Sequence, residues 1–199
     1  MPTKLTWWKR VPEEHEGLDR NQGSAPNSKY NKGQYMKKLN FDEVRDFINA
    51  QSPETKIYIG GDSTRFRKNG VWHAEYTMAI VVHIDGKHGC KIFGESSTEV
   101  DYDQKRNRPS MRLMNEVYKI SELYLKLHEV LEGRDVAVHL DINPNELHGS
   151  SCVVQQAIGY IRGTCNVIPM VKPHAWAASY CADRLKEVMA MQENQRKIA

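Results

Sequence analysis

The feature that most constrains the fold is the order in which apolar patterns follow one another. Three β-type segments come first, Lys56–Ile59 ("KIYI"), His73–Asp85 ("HAEYTMAIVVHID") and Gly89–Ser97 ("GCKIFGESS"). Strands joined by short turns pair antiparallel. Strands and helices then alternate. Ser110–Gly133 repeats Met114, Val117, Tyr118, Leu123, Tyr124, Leu127 and Leu131 at helical spacing. A strand over Asp135–Asn143, a helix over Ser150–Gly163, a strand over Asn166–Val171 and a terminal helix over His174–Gln192 complete the order. Strands separated by helices join a sheet in parallel, through right-handed crossovers. Ahead of them all, Asn40–Gln51 reads as a helix, with Asn40 as N-cap, Asp42 and Glu43 in the first turn, and Phe41, Val44, Phe47 and Ile48 on one face. The expected fold is α/β: a five-stranded mixed sheet, three antiparallel strands and then two parallel ones, flanked by helices.

A chain of 199 residues fits one domain with a real core, plus an arm. Residues 1–33 lack a sustained apolar period, and "EGLDRNQGSAPNSKYNKG" is polar and rich in Gly, Asn, Ser and Pro. They are expected to form an N-terminal arm or a poorly ordered extension, and residues 34–199 the domain. Within the arm, Trp7 and Trp8 beside Lys9 and Arg10 either stack on bases or cover an apolar patch of the same chain. The net charge of +3 is too small to identify a nucleic-acid binder. The start of the chain lacks a signal-peptide apolar run, and no stretch approaches the length of a membrane span. Cys90, Cys152, Cys165 and Cys181 form no C-x-x-C pair, and their scatter fits buried thiols in a reducing cytosol, so a cytoplasmic location is expected. Neither a phosphate loop nor a dinucleotide fingerprint occurs.

Chemistry enters where strands end. "IYIGGDS" ends at Asp62 and "AVHLDIN" at Asp141. If these are the first and fourth strands, lying parallel and adjacent, both carboxylates project from one edge of the sheet. Like charges held that close repel unless a cation lies between them, so the pair calls for a metal. Either aspartate alone reads rather as the start of a turn; two strands with the same ending shift the balance. Glu116 sits early in the long helix, beside the apolar face. Asp183 lies about two turns into the terminal helix, where Ala177, Ala178 and Ala182 permit a close approach to the sheet. Each of these two, taken singly, reads as an ordinary solvated helix charge.

The strand–helix order and the succession Asp62, Glu116, Asp141, Asp183 resemble the ribonuclease H superfamily. The segments "NFDEVRDFINAQSPETKIYIGGDS", "VHLDIN" and "VKPHAWAASYCADR" resemble more closely the bacterial ribonuclease H-like YkuK family, over about Asn31 to Glu187. The resemblance implies a metal-dependent nuclease that hydrolyses nucleic-acid phosphodiester bonds with two ions, Mg²⁺ or Mn²⁺. It implies that Asp62 bridges the ions, with Asp141 and Glu116 on one and Asp183 on the other. DNA, RNA and hybrid substrates are not distinguished by it.

Several nearby groups are candidates for secondary roles. Lys172 follows the last strand and would neutralise a phosphate or orient the nucleophile, and His174 would shuttle a proton. Scaffolding at the start of the terminal helix is the alternative for both. Ser63 is a candidate substrate hydrogen-bond donor, or else a cap of the turn after its strand. Arg65, Arg67 and Arg106 fall in basic stretches expected on loops beside the site, as phosphate-binding groups or as solvated charges. Gly60 and Gly61 are expected to let the backbone bend and a phosphate approach. A different class stays open: a ribonuclease H-like module that binds nucleic acid or protein without turnover.

Overall fold

The computed structural model describes residues 39–103, 108–183 and 185–187, with the side chains of Tyr180 and Cys181 left aside. The expected arm and Arg106 lie outside the described residues. Helix α1 (Phe41–Asn49) begins as expected, because Asn40 Oδ1 accepts the N–H of Asp42 at 3.1 Å and of Glu43 at 3.3 Å. Strands β1 (Lys56–Lys68), β2 (Val71–His83) and β3 (Cys90–Val100) form the antiparallel meander. Helix α2 (Ser110–Leu131), strand β4 (Asp135–Leu140) and helix α3 (Val154–Cys165) follow. A π-helical turn, Ala177–Cys181, opens the terminal helical segment.

The sheet is mixed, with strand order β3-β2-β1-β4 and β4 parallel to β1. Its described strands number four, not the five expected. Instead of a fifth strand, Asn166–Val171 contributes a single parallel bridge between His139 and Met170. Met170 N donates to Val138 O at 2.8 Å and Leu140 N to Met170 O at 2.9 Å. Pro169 and Pro173 flank this contact, and a run holding proline is demoted to an edge element. Asn166, left-handed at φ 56°, ends α3 just before it and shortens the extended stretch further.

β1 runs well past its expected end. Asn69 and Gly70 both have positive φ, 50° and 81°, as a two-residue hairpin turn that matches strand twist requires. The hairpin therefore stays paired to Lys68↔Val71, and Arg65, Arg67 and Lys68 lie on the strand, not on a loop. Gly60 and Gly61 mark no bend either, since both are paired on each side, to β2 and to β4. At Gly60 a Cβ would stand 3.0 Å from both Ala178 N and His139 O. Glycine is needed there so that the terminal segment can lie against the sheet.

One face of the sheet carries the main core. Ile57, Ile59, Ile80, Val82, Val138 and Leu140 pack with Val117, Ile120 and Leu127 of α2 and Ile161 of α3, all out of reach of water. Each such side chain contributes roughly 1.5–3 kcal/mol on burial. The opposite face holds a smaller cluster of Ala79, Val81 and Ala177, edged by Tyr58, Ile92 and Trp176. Of the cysteines with described side chains only Cys165 is buried; Cys90 is intermediate and Cys152 exposed. No described helix is long and apolar enough to cross a membrane.

Candidate active site

The strand register sets the centre of the site. The last β1–β4 pair is Gly61↔Leu140, so Asp62 and Asp141 are the next residues on adjacent parallel strands. Asp62 does not end its own strand, because β1 stays paired with β2 there through Asp62↔Thr77. What stops is β4, whose pairing with β1 ends at Leu140, one residue before Asp141. Alternation along β1 then separates two faces. Ile57, Ile59 and Ser63 face α2, while Tyr58, Gly60 and Asp62 face the terminal segment.

On the terminal-segment face both aspartates hold lysines. Lys186 Nζ donates to Asp62 Oδ2 at 2.7 Å and to Thr64 Oγ1 at 3.2 Å, and lies 3.5 Å from Asp183 Oδ1. Burial lowers the pKa of Lys186, but attraction to Asp62, with smaller help from Asp183 and Glu75, outweighs this and holds it above the ordinary lysine value. Lys172 Nζ sits 2.9 Å from Asp141 Oδ1 and 3.0 Å from Oδ2, and Ser179 Oγ donates to Asp141 Oδ1 at 2.6 Å. The terminal segment is itself held in place from β4: Ala177 N donates to Nδ1 of the buried His139 at 3.0 Å. Trp176 packs across His139 and Tyr58, with ring centroids 5.4 and 4.6 Å away. Isolated π-turns of this kind are often found where a helix is re-aimed at a functional site.

On the α2 face, Glu116 is fully buried. Ser63 Oγ donates to Glu116 Oε2 at 2.6 Å, and Arg112 Nη1 donates to Ser63 O at 2.6 Å and to Ser63 Oγ at 2.5 Å. Glu116 Oε1 has no partner among the described residues. Burial pushes the pKa of Glu116 up to about 8, and the fields of Asp62 and Asp141 add to the rise against the opposing effects of Ser63 and Arg112. The charged form of this carboxyl is therefore disfavoured in the absence of a cation.

The remaining expected residues divide. Arg65 lies inward: Nε is 2.6 Å from Asp101 Oδ2, Nη2 donates to Asp103 O at 2.7 Å, and the guanidinium sits 4.4 Å from the Trp72 ring centroid. It braces the segment before α2, where Asp103 accepts the N–H of Met111 at 3.0 Å and of Arg112 at 2.8 Å. Arg67 is exposed near the hairpin tip, bonded to Gly70 O at 3.1 Å and 5.8 Å from the Trp72 ring. His174 is exposed in the turn after Lys172, its N–H bonded to Val171 O at 3.0 Å. Three residues of the site were not anticipated: Lys186, Ser179 and Arg112. Two of them left a signal. Arg112 stands four residues before Glu116 and Lys186 three after Asp183, the spacings that share a helix face.

Among the described residues, no three His, Cys, Asp or Glu side chains are gathered as a ready-made metal cage. The cations beside the aspartates are lysines. In chemistry the donor set still suits a hard divalent ion, being all carboxylate oxygen. The unpartnered Oε1 of Glu116 is the kind of buried oxygen such an ion would satisfy. A family model described as Ribonuclease H-like matches residues 40–187 of the chain. The searches of curated proteins and of solved structures found no match.

Proposed function

The chain belongs to the ribonuclease H-like family, and from that premise we propose that it hydrolyses nucleic-acid phosphodiester bonds with the aid of two divalent cations, Mg²⁺ or Mn²⁺. The observation that carries the reading is the register of the parallel pair, which sets Asp62 beside Asp141 where β4 ends. The orphaned Glu116 oxygen, electrostatically coupled to both, supports it.

Asp62, Asp141 and Glu116 would hold the ions, with Asp183 joining Asp62. Bound there, the ions supply a water of lowered pKa and a positive field for the departing sugar oxygen. The chain's own groups do the rest. Ser63 and Arg112 fix the rotamer of Glu116, so that Oε1 keeps one direction. Glu116 holds a proton until a cation makes the charged form favourable. Ser179 holds one Asp141 oxygen and so limits the angles at which that carboxylate can present the other. Lys172, half exposed beside Asp141, is placed to take a substrate phosphate oxygen. His174, exposed two residues after Lys172, is assigned the proton relay to solvent. Arg67 and Lys68, farther along β1, carry backbone phosphate and make binding fall with salt.

The test is hydrolysis of single-stranded DNA, single-stranded RNA and a DNA–RNA hybrid, side by side, in Mn²⁺, in Mg²⁺ and in EDTA. The reading expects at least one substrate to be cut with metal and none in EDTA. A folded protein inactive on all three overturns it. One observation favours a second reading, a nucleic-acid-binding or protein-interaction module without turnover: Lys186 and Lys172 already neutralise Asp62 and Asp141. That module would bind oligonucleotides with an affinity that divalent cations leave unchanged.

A further inference from the structure

The cation between Asp62 and Asp183 belongs to the chain itself. Lys186 Nζ has Asp62 Oδ2 at 2.7 Å, Thr64 Oγ1 at 3.2 Å and Asp183 Oδ1 at 3.5 Å. Its side chain is only 23% exposed and that of Asp62 21%, so the contact is not one of the loosely held surface pairs that contribute little. Asp183 is 69% exposed, which leaves one side of the gap open to solvent and to an ion arriving from it. The ammonium occupies the same carboxylate oxygens that a divalent ion would take, and the two cations repel each other there.

We propose that Lys186 is a built-in counter-ion which a divalent cation must displace from Asp62 and Asp183, so that this lysine sets the threshold at which the site takes up metal. The inference rests on the metal-dependent reading of the site. The apo site is held together by Lys186, which removes the repulsion that bare carboxylates would suffer. Metal uptake is then an exchange: the ion forms its bonds to oxygen, and the lysine ion pairs break. The cost of that exchange subtracts from metal affinity. Lysine suits such an exchange better than a rigid fork would, because its flexible stem lets the ammonium leave without moving the helix.

The experiment is calorimetric titration of Mn²⁺ into the full chain as wild type, Lys186→Met and Lys186→Arg. Methionine keeps most of the stem and removes the charge, and arginine restores the charge. Mn²⁺ should bind Lys186→Met about tenfold more tightly than wild type, within the usual range of coupling between linked sites. Lys186→Arg, which keeps the charge on a stiffer group, should bind Mn²⁺ no more tightly than wild type. Binding by the Met variant with none by wild type would support the proposal in its strongest form. A folded Lys186→Met protein that binds Mn²⁺ no tighter than a binding-competent wild type overturns the proposal and leaves the nuclease reading intact. Absence of binding in every variant overturns both. If Lys186→Met fails to fold, Mg²⁺ titration of the wild type is followed on the lysine ¹³Cε NMR signals. A Lys186 signal that moves in step with binding supports displacement, and one that stays still while Mg²⁺ binds overturns it.

Discussion

Asp62 and Glu116 stand on opposite faces of one strand, and their charge is dealt with in opposite ways. Asp62, on the terminal-segment face, is one-fifth exposed and holds the Lys186 ammonium at 2.7 Å. Glu116, on the α2 face, is fully buried with the Ser63 hydroxyl on one oxygen, and burial raises its pKa to about 8. Arg112 does not reach it directly and donates to Ser63. The difference teaches what a buried carboxylate requires. Full burial with only a hydroxyl in contact disfavours the charged form of Glu116, and a cation in contact would oppose that. A divalent ion placed between the faces would be expected to turn Glu116 into a second Asp62, which is why the two are read as parts of one site.

The largest effect expected is on chemistry. Asp62→Asn keeps size and one oxygen but removes the charge that faces both Asp141 and Asp183. Hydrolysis in Mn²⁺ should fall by about a thousandfold or more, with folding preserved and substrate binding little changed. Steady-state rates on the best of the three substrates, with a thermal melt beside them, decide it. A variant that cuts as fast as wild type removes Asp62 from the centre of the account.

The next prediction tests the Glu116 face through pH. Its folded-state pKa, about 8, lies above the ordinary 4.5. Between those values the folded chain keeps a proton that the unfolded chain has lost, so stability falls as pH rises through the window. In EDTA, the urea midpoint of wild type should drop between pH 5 and pH 8, and Glu116→Gln should flatten that slope. A slope unchanged by the substitution would mean that Glu116 is not the buried acid described.

His139 supplies the reverse slope from the other face. Burial lowers its pKa from 6.5 to about 4, so the folded chain refuses a proton that the unfolded chain accepts in that window. Stability should therefore fall as pH drops from 6.5 to 4. His139→Gln should remove that loss, at the cost of a weaker hold on Ala177 N. The two slopes measured together separate the faces by sign.

Gly60→Ala acts on packing alone. The added methyl would meet backbone atoms at 3.0 Å on both sides, Ala178 N and His139 O, neither of which can swing aside. A loss of roughly 1–3 kcal/mol is expected, with faster hydrogen exchange in the terminal segment than in α2. Smallest of all is Asn40→Ala, which removes the α1 cap and none of the site's contacts. It should cost about 1 kcal/mol and leave hydrolysis unchanged at temperatures where the protein is folded. Equal loss of activity in both variants would attribute the effect of Gly60→Ala to stability alone.

Much of this was legible in the sequence, and the reasons differ by element. α1 could be read to within a residue or two, because its cap and apolar face are local signals. The antiparallel meander was legible from its short turns, but the end of β1 was not. Residues Thr64 to Lys68 look like a charged loop, and only pairing with β2 makes them strand. The fifth strand failed because Asn166–Val171 has β-type residues yet sits between a left-handed helix end and a proline turn. Asp62 and Asp141 were paired by reading both as strand ends; the register does set them next on adjacent strands, but only β4 stops there, and β1 runs on to Lys68. Lys172 was read as a site residue, but not as the partner of Asp141. The ion pair of Lys186 with Asp62 joins residues far apart in the chain, and only the spacing of Lys186 from Asp183 hinted at it. Ser63 was read as facing substrate or a turn; the strict alternation along β1 turns it inward, onto Glu116.

The central claim is that one metal-binding centre joins the two faces. A crystal soaked in millimolar Mn²⁺ and measured for anomalous scattering tests it most directly. The account predicts a peak bound by Asp62 and Asp141, with Glu116 Oε1 turned onto it and Lys186 moved off Asp62. Mn²⁺ found only elsewhere on the protein, with the Lys186–Asp62 contact intact and Glu116 Oε1 still without a partner, would contradict it.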